Sequence, residues 1–222
     1  MSEGIVQTLS PITLLGAGNV ERRSLYSALR IAPYLVAADG GANVAIAAGR
    51  IPDAVIGDLD SVSDAARAAI PADRFHRVAE QETTDFEKCL QRIEAPYILG
   101  LGFAGPRADH TLAVWNALAR HGVRRCLILG REDVAFLAPR RLNLALAPGT
   151  RVSLFPMAPV TGESRGLRWP IGGLTFAPDG RVGTSNEATG PVEMEFEAAR
   201  MLVILPKAAL RAAIAGLQAS AW

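Results

Sequence analysis

Three aspartates, Asp39, Asp58 and Asp60, stand where short apolar runs stop at glycine-bearing turns. The run Tyr34 to Ala38 ends in Asp39-Gly40-Gly41, and a small-residue helix of about two turns follows. The run Ala54 to Ile56 ends in Gly57-Asp58-Leu59-Asp60-Ser61. Asp58 and Asp60 are two apart, so in extended backbone their side chains share a side. Carboxylates converging on one point repel unless a cation lies between them, and hard cations such as Mg2+ take oxygen ligands. Asp beside Gly is also ordinary turn chemistry, and Asp60 or Ser61 could simply cap the next helix. The recurrence of the acid at successive turn ends favours a site over separate turns.

Further along, Thr84-Asp85-Phe86-Glu87-Lys88 opens a helix, and Thr84 with Glu87 fits a capping box. Asp85 and Lys88, three apart, share a helix face, as a plain surface pair or as part of a metal-and-phosphate site. Arg107 and Asp109 flank a glycine-rich turn just before a helix, where free N–H groups and the helix dipole favour an anion. Asp109 or His110 could equally be an N-cap there. Gly16-Ala17-Gly18 lacks a third glycine, so it is a weak dinucleotide fingerprint, although its N–H groups could approach a phosphate.

The elements that must carry these residues alternate. Strands are expected at Ile12 to Leu15, Tyr34 to Ala38, Ala54 to Ile56, Arg74 to Val78, Tyr97 to Leu101 and Cys126 to Leu129. Helices are expected at Arg22 to Ile31, Ser63 to Ile70, Glu82 to about Ile93 and Thr111 to Arg120. This is the grammar of a parallel α/β sheet, whose ligands bind beyond the carboxyl ends of the strands. Past Ala138 the pattern changes to short apolar runs (142–146, 152–155, 174–176, 192–196, 201–205) between Gly/Pro-rich turns. Val192 to Glu197 alternates strictly, as a half-buried strand should. The expectation is an N-terminal Rossmann-like parallel α/β domain, 1–138, followed by an antiparallel β-sandwich, 139–222, with a terminal helix over Lys207 to Gln218.

Composition narrows the classes. Half of the 222 residues are hydrophobic and 20% charged, so the chain is globular. A net charge of +1 gives no electrostatic case for nucleic acid or an anionic membrane. Lys88 and Lys207 are the only lysines among 23 basic residues, so any phosphate clamp must be mostly arginine. No Gly-Lys-Ser/Thr occurs, which excludes a P-loop. Three scattered histidines and two distant cysteines make no zinc ligand set. Without a signal-like start or an apolar run of about 20 residues, a soluble cytoplasmic protein with Cys89 and Cys126 reduced is expected.

Taken in order, these turns resemble those of the thiamine pyrophosphokinase family, which uses ATP to convert thiamine to thiamine diphosphate. The resemblance rests on Asp39-Gly40-Gly41-Ala42-Asn43, Pro52-Asp53, Gly57-Asp58-Leu59-Asp60-Ser61, Thr84-Asp85 with Lys88, and Arg107-Ala108-Asp109-His110. It continues through Gly166-Leu167-Arg168-Trp169-Pro170 and Thr184-Ser185-Asn186-Glu187, and spans about residues 12 to 205. It implies a domain holding ATP and Mg2+, a β-sandwich, and a homodimer whose thiamine pocket draws on both subunits. It implies Asp58, Asp60 and Asp85 as metal and catalytic carboxylates, with Asp39, Asn43 and Lys88 on the phosphate side. Arg107 and Asp109 complete that cluster, and Trp169, Thr184, Ser185 and Asn186 face thiamine. The thiazolium ring is cationic, and cation–π contacts are worth about 0.5–2 kcal/mol. Trp169, in a polar turn, suits that role better than Trp115, which sits mid-helix and is expected in the core; Trp222 says nothing.

Two departures stand out. Pro106 replaces the second glycine of the family's Gly-Gly-Arg, which removes a backbone N–H and a possible phosphate contact. The terminal helix extends past the expected end of the family. The rival readings are a diphosphotransferase of the same architecture acting on a pterin alcohol, and a non-catalytic nucleotide-binding sensor.

Overall fold

Continuous apolar runs buried on both faces build parallel sheets, and the first half of the chain does so. The computed structural model describes residues 4–221, in two compact units divided between Ala117 and Leu118. In the first unit the strands are β1 (Val6–Gln7), β2 (Ile12–Leu15), β3 (Tyr34–Ala38), β4 (Ala54–Gly57), β5 (Phe75–Arg77), β6 (Ile93–Glu94) and β7 (Ile98–Leu101). Between them run α1 (Arg22–Leu29), α2 (Gly41–Ala47), α3 (Asp64–Ala69) and α4 (Asp85–Arg92), with α5 (Ala108–Arg120) after β7. The sheet order is β7-β2-β3-β4-β5, every pair parallel. β1 and β6 form a separate parallel pair. The acidic turns after β3 and β4 therefore leave neighbouring strands at the same edge.

Local chemistry sets the helix starts. Ser63 caps α3 by accepting the Ala66 N–H at 3.3 Å, and Thr84 caps α4 by accepting the Glu87 N–H at 3.3 Å. Ala37, Ala42, Val55, Leu59, Val62, Ala66 and Ile70 form one buried cluster, with Ile46 and Phe75 packed on it. Two of its members, Leu59 and Val62, come from the acidic loop after β4, so burial of the loop's apolar residues anchors its carboxylates.

The second unit is antiparallel. It contains β8 (Cys126–Leu129), β9 (Asp133–Leu137), β10 (Arg141–Leu144), β11 (Arg151–Pro156), β12 (Val160–Leu167), β13 (Thr175–Phe176), β14 (Gly183–Phe196) and β15 (Met201–Pro206). The pairing runs β8-β9-β15-β11-β14-β12-β13, and β10 also pairs with β14. The first part of β14 lies against β11; its later part lies between β10 and β12. The terminal helix α6 (Leu210–Ala219) buries Ala213, Ile214 and Leu217 and packs on β10. Arg125 ties it down by donating to the carbonyls of Leu217 (3.1 Å) and Ser220 (3.3 Å).

Several expectations shift. Cys126–Leu129, read as the last strand of the α/β part, pairs antiparallel with β9. The packing division at Ala117/Leu118 falls earlier than the change in sequence pattern near Ala138. β9 and β12 were not anticipated, and Trp115 is half-buried rather than core. Trp222 lies outside the described residues. Cys89 and Cys126 are both buried free thiols. Among the described residues, no helix is long and apolar enough to cross a membrane.

Candidate active site

Asp39 leaves β3 in the left-handed region, with φ at 42°. Its N–H donates to the Ile56 carbonyl at 2.9 Å, and its own carbonyl accepts the Ala42 N–H at 3.0 Å, which starts α2. Gly57 faces it: a Cβ there would stand 2.7 Å from the Asp39 Cβ, so no larger residue fits beside the turn. The Asp39 side chain is 2% exposed, and its Oδ1 is buried without a hydrogen-bond partner. Such an oxygen costs about 1–3 kcal/mol unless something satisfies it.

The loop after β4 supplies the other two acids. Leu59 also takes a left-handed φ, 68°, which sends its side chain into the core cluster. The Asp60 N–H donates to Asp58 Oδ1 at 3.3 Å, and the Ser61 hydroxyl donates to Asp60 Oδ1 at 2.9 Å. Asn43 fastens α2 to this loop: its amide donates to the Ser61 carbonyl at 2.8 Å and its oxygen accepts the Ser63 N–H at 2.9 Å. Asn43 thus positions the loop with both ends of its amide. One oxygen from each of Asp39, Asp58 and Asp60 falls within 4.8 Å of the others, the one such acidic group among the described residues.

Lys88 lies on the other side of Asp58. Its side chain is 2% exposed, and its ammonium donates to Asp58 Oδ2 at 3.0 Å and Asp85 Oδ1 at 3.2 Å. Gln81 also donates to Asp58 Oδ2, at 3.1 Å. Asp58 thus belongs both to the acidic trio and to the Lys88 pairings, and one ammonium serves a cluster of four carboxylates, which leaves it short of positive charge. An all-oxygen trio with an unsatisfied buried oxygen fits a hard divalent cation. The trio expected from sequence, Asp58, Asp60 and Asp85, differs from this one by one member; Asp85 adjoins it through Lys88, which bonds both Asp58 and Asp85.

The hydrogen bond from Lys88 holds the Asp58 carboxyl down to about 2 against the opposing effect of burial, with the Asp60 N–H and Gln81 assisting. Burial raises Asp85 above the ordinary value, more than the hydrogen bond from Lys88 lowers it. Burial would lower Lys88, but its bonds to Asp58 and Asp85 prevail and raise it. A carboxyl whose folded pKa is depressed stabilises the fold above its unfolded value, and loses that contribution as pH falls through the folded one. For Asp58 the window runs from its ordinary 3.8 down to about 2. In an NMR titration, the Asp58 side chain should report protonation near pH 2, and near its ordinary value in Lys88→Met. A wild-type midpoint near 4 would contradict the pairing.

Other expected residues are held by partners outside this cluster. Arg107 makes a two-point contact with Asp109, at 3.3 and 2.7 Å, and both are about two-thirds exposed. The N–H groups of Gly16 and Gly18 are taken by the carbonyls of Leu101 (2.8 Å) and Gly102 (3.1 Å), so that turn does not present them to a phosphate.

In the second unit, Thr184, Ser185 and Asn186 lie within β14 rather than in a turn. Ser185 has φ 62°, and the register against β11 shifts there, between Val152 and Leu154. Thr184 and Ser185 point to solvent while Asn186 is buried. Asn186 accepts the Trp169 N–H at 3.2 Å and donates to the Trp169 carbonyl at 2.7 Å, locking the backbone under an indole that is 54% exposed. The Arg168 guanidinium lies 4.9 Å from that ring centroid, with Glu187 at 3.7 Å. Gln81 carries no signal in the sequence, since a lone polar residue in a loop has no spacing to mark it.

Comparison with known proteins places this geometry in a family. The model for "Thiamin pyrophosphokinase, catalytic domain" matches residues 25–128, and that for "Thiamin pyrophosphokinase, vitamin B1 binding domain" matches residues 140–202. Thiamine pyrophosphokinase 1 of Oryza sativa subsp. japonica is 28% identical over 154 residues, covering 61% of this chain. Thiamine pyrophosphokinase 2 of the same plant is 26% identical over 158 residues. The match spans 58% of the length of each. The thiamin pyrophosphokinase structure from Candida albicans superposes with a TM-score of 0.75 at 17% identity, covering 93% of this chain and 95% of that one. That from Geobacillus thermodenitrificans gives 0.72 at 21%, covering 88% and 96%. These likenesses establish the fold, and the two adjoining family models establish the lineage: the chain belongs to the thiamin pyrophosphokinase family.

Proposed function

We propose that this chain is a Mg2+-dependent thiamine diphosphokinase, transferring a diphosphoryl group from ATP to the hydroxyl of thiamine and releasing AMP. The observation that carries the reading is the trio Asp39, Asp58 and Asp60, with its unpartnered Asp39 oxygen, beyond the carboxyl ends of β3 and β4. Asp39, Asp58 and Asp60 would hold the cation, which when bound neutralises phosphate charge. In the reaction the thiamine oxygen bonds to the β-phosphorus, the bond from that phosphorus to the AMP oxygen breaks, and the hydroxyl proton is released. Such transfers depend on positioning and electrostatics rather than on covalent help from the protein.

The chain's own groups have distinct parts. Lys88, almost fully buried between Asp58 and Asp85, is an internal counter-ion that keeps those carboxylates in place. Arg107 offers an exposed guanidinium fork to phosphate on exchange from Asp109. Trp169 offers an indole face to the thiazolium, and Asn186 holds it there, with Thr184 and Ser185 alongside.

The division into a catalytic portion, 1–138, and a thiamine-binding β-sandwich, 139–222, belongs to this reading. The limits of the two family models support it. A homodimer with shared active sites, a cytoplasmic location, and the absence of a nucleic-acid or membrane partner are also part of this proposal.

Trp169→Ala should chiefly raise the KM for thiamine, by roughly three- to thirtyfold on the scale of a cation–π contact, with kcat little changed. An unchanged KM would remove the indole from the pocket. The acceptor itself is tested by offering thiamine and a hydroxymethyl pterin side by side with Mg-ATP. Consumption of thiamine alone is expected, whereas consumption of the pterin, or binding of ATP without turnover, would favour one of the rival readings.

A further inference from the structure

We infer that Arg67 is a positioning residue for the proposed metal site: its guanidinium clamps the acidic loop in the one shape that aims Asp58 and Asp60 at Asp39. The inference rests on the reading of that trio as a cation site. Between Asp58 and Asp60, whose carboxylates meet Asp39, Leu59 holds φ at 68°. A non-glycine residue there costs on the order of 1 kcal/mol, and surrounding contacts must maintain it.

Those contacts are identifiable. Arg67, on α3, donates from one terminal nitrogen to the Leu59 carbonyl and from Nε to the Val62 carbonyl at 3.3 Å. From the opposite side Asn43 takes the Ser61 carbonyl and the Ser63 N–H. Four main-chain groups of the loop, the carbonyls of Leu59, Ser61 and Val62 and the N–H of Ser63, are therefore held by two side chains, neither of which is a carboxylate of the trio. Arg67 grips the strained residue itself. Its planar fork can span two carbonyls at once, which a lysine ammonium on a flexible stem does less well. The Leu59 side chain, packed with Ala37, Val55 and Val62, supports the same conformation from below.

The test is Mn2+ binding to the purified, nucleotide-free protein, followed by the EPR signal of free Mn2+, with unfolding midpoints recorded alongside. Wild type should bind Mn2+. Arg67→Ala should bind at least about fivefold more weakly while remaining folded at the assay temperature, and Arg67→Lys should fall between the two. In turnover, the Arg67→Ala deficit should shrink as Mg2+ is raised, a response that loss of fold alone does not produce. Equal Mn2+ affinity in wild type and folded Arg67→Ala would overturn the inference and leave the metal-site reading intact. If Arg67→Ala does not fold, equal affinity in Arg67→Lys overturns it in the same way. Absence of Mn2+ binding to wild type would instead overturn the metal-site reading.

Discussion

Asp58→Asn is expected to lower turnover by well over tenfold, roughly 10²-fold or more, while the protein stays folded. Asp58 sits at the junction of the site: Oδ1 accepts the Asp60 N–H, Oδ2 accepts Lys88 and Gln81, and the carboxylate belongs to the acidic trio. Removing its charge weakens the attraction for a cation and leaves Lys88, 2% exposed, with one charged partner instead of two. An asparagine oxygen can still accept from Lys88, so the fold should lose far less than the activity. Wild-type turnover in Asp58→Asn, measured at saturating thiamine across a Mg2+ series, would refute the assignment. Recovery of the variant at high Mg2+ would place its defect in metal affinity.

Gly41→Ala should destabilise the protein by about 2–3 kcal/mol, lowering the unfolding midpoint by roughly 5–10 °C. A Cβ at this position would stand 2.0 Å from the Leu15 carbonyl oxygen and 2.8 Å from its carbon. Both atoms are backbone, so no rotamer change relieves the clash. The start of α2 would have to move away from the end of β2, carrying with it the Asp39 turn and Asn43. Turnover at a temperature where the variant is folded should fall as well. Gly105→Ala, where a Cβ meets nothing within 4 Å, is the control and should leave the midpoint nearly unchanged. A Gly41→Ala midpoint equal to that of wild type would mean the helix start is not held as described.

Where function and fold share a signal, the sequence was readable. Tyr34–Ala38 is an apolar strand ending at an Asp-Gly-Gly turn, and its limits follow from residue types. The same holds for the turn after Ala54–Gly57. What the pattern could not supply was pairing across space. Nothing in the sequence says that Lys88 turns inward between Asp58 and Asp85, so Asp85 looked as available to a metal as Asp39. Nor does the sequence show that Asn43 bonds the Ser61 carbonyl and the Ser63 N–H, or that Arg107 pairs with Asp109, because those partners are set by the fold. β12 escaped detection for another reason: between Val160 and Leu167 it has no buried residue, so it carries no apolar alternation. Thr184-Ser185-Asn186 read as a turn because its polar residues and left-handed Ser185 mark a bulge inside β14, and bulges share turn chemistry.

The proposed reaction is a diphosphoryl transfer from ATP to thiamine at an aspartate-held cation. It is tested most directly by incubating the purified protein with ATP, Mg2+ and thiamine and measuring AMP and thiamine diphosphate in the same sample. The account predicts both products in equal amounts, abolished by EDTA and restored by added Mg2+. AMP without thiamine diphosphate would contradict the acceptor, and ATP bound but never converted would contradict the claim that this family member is an enzyme.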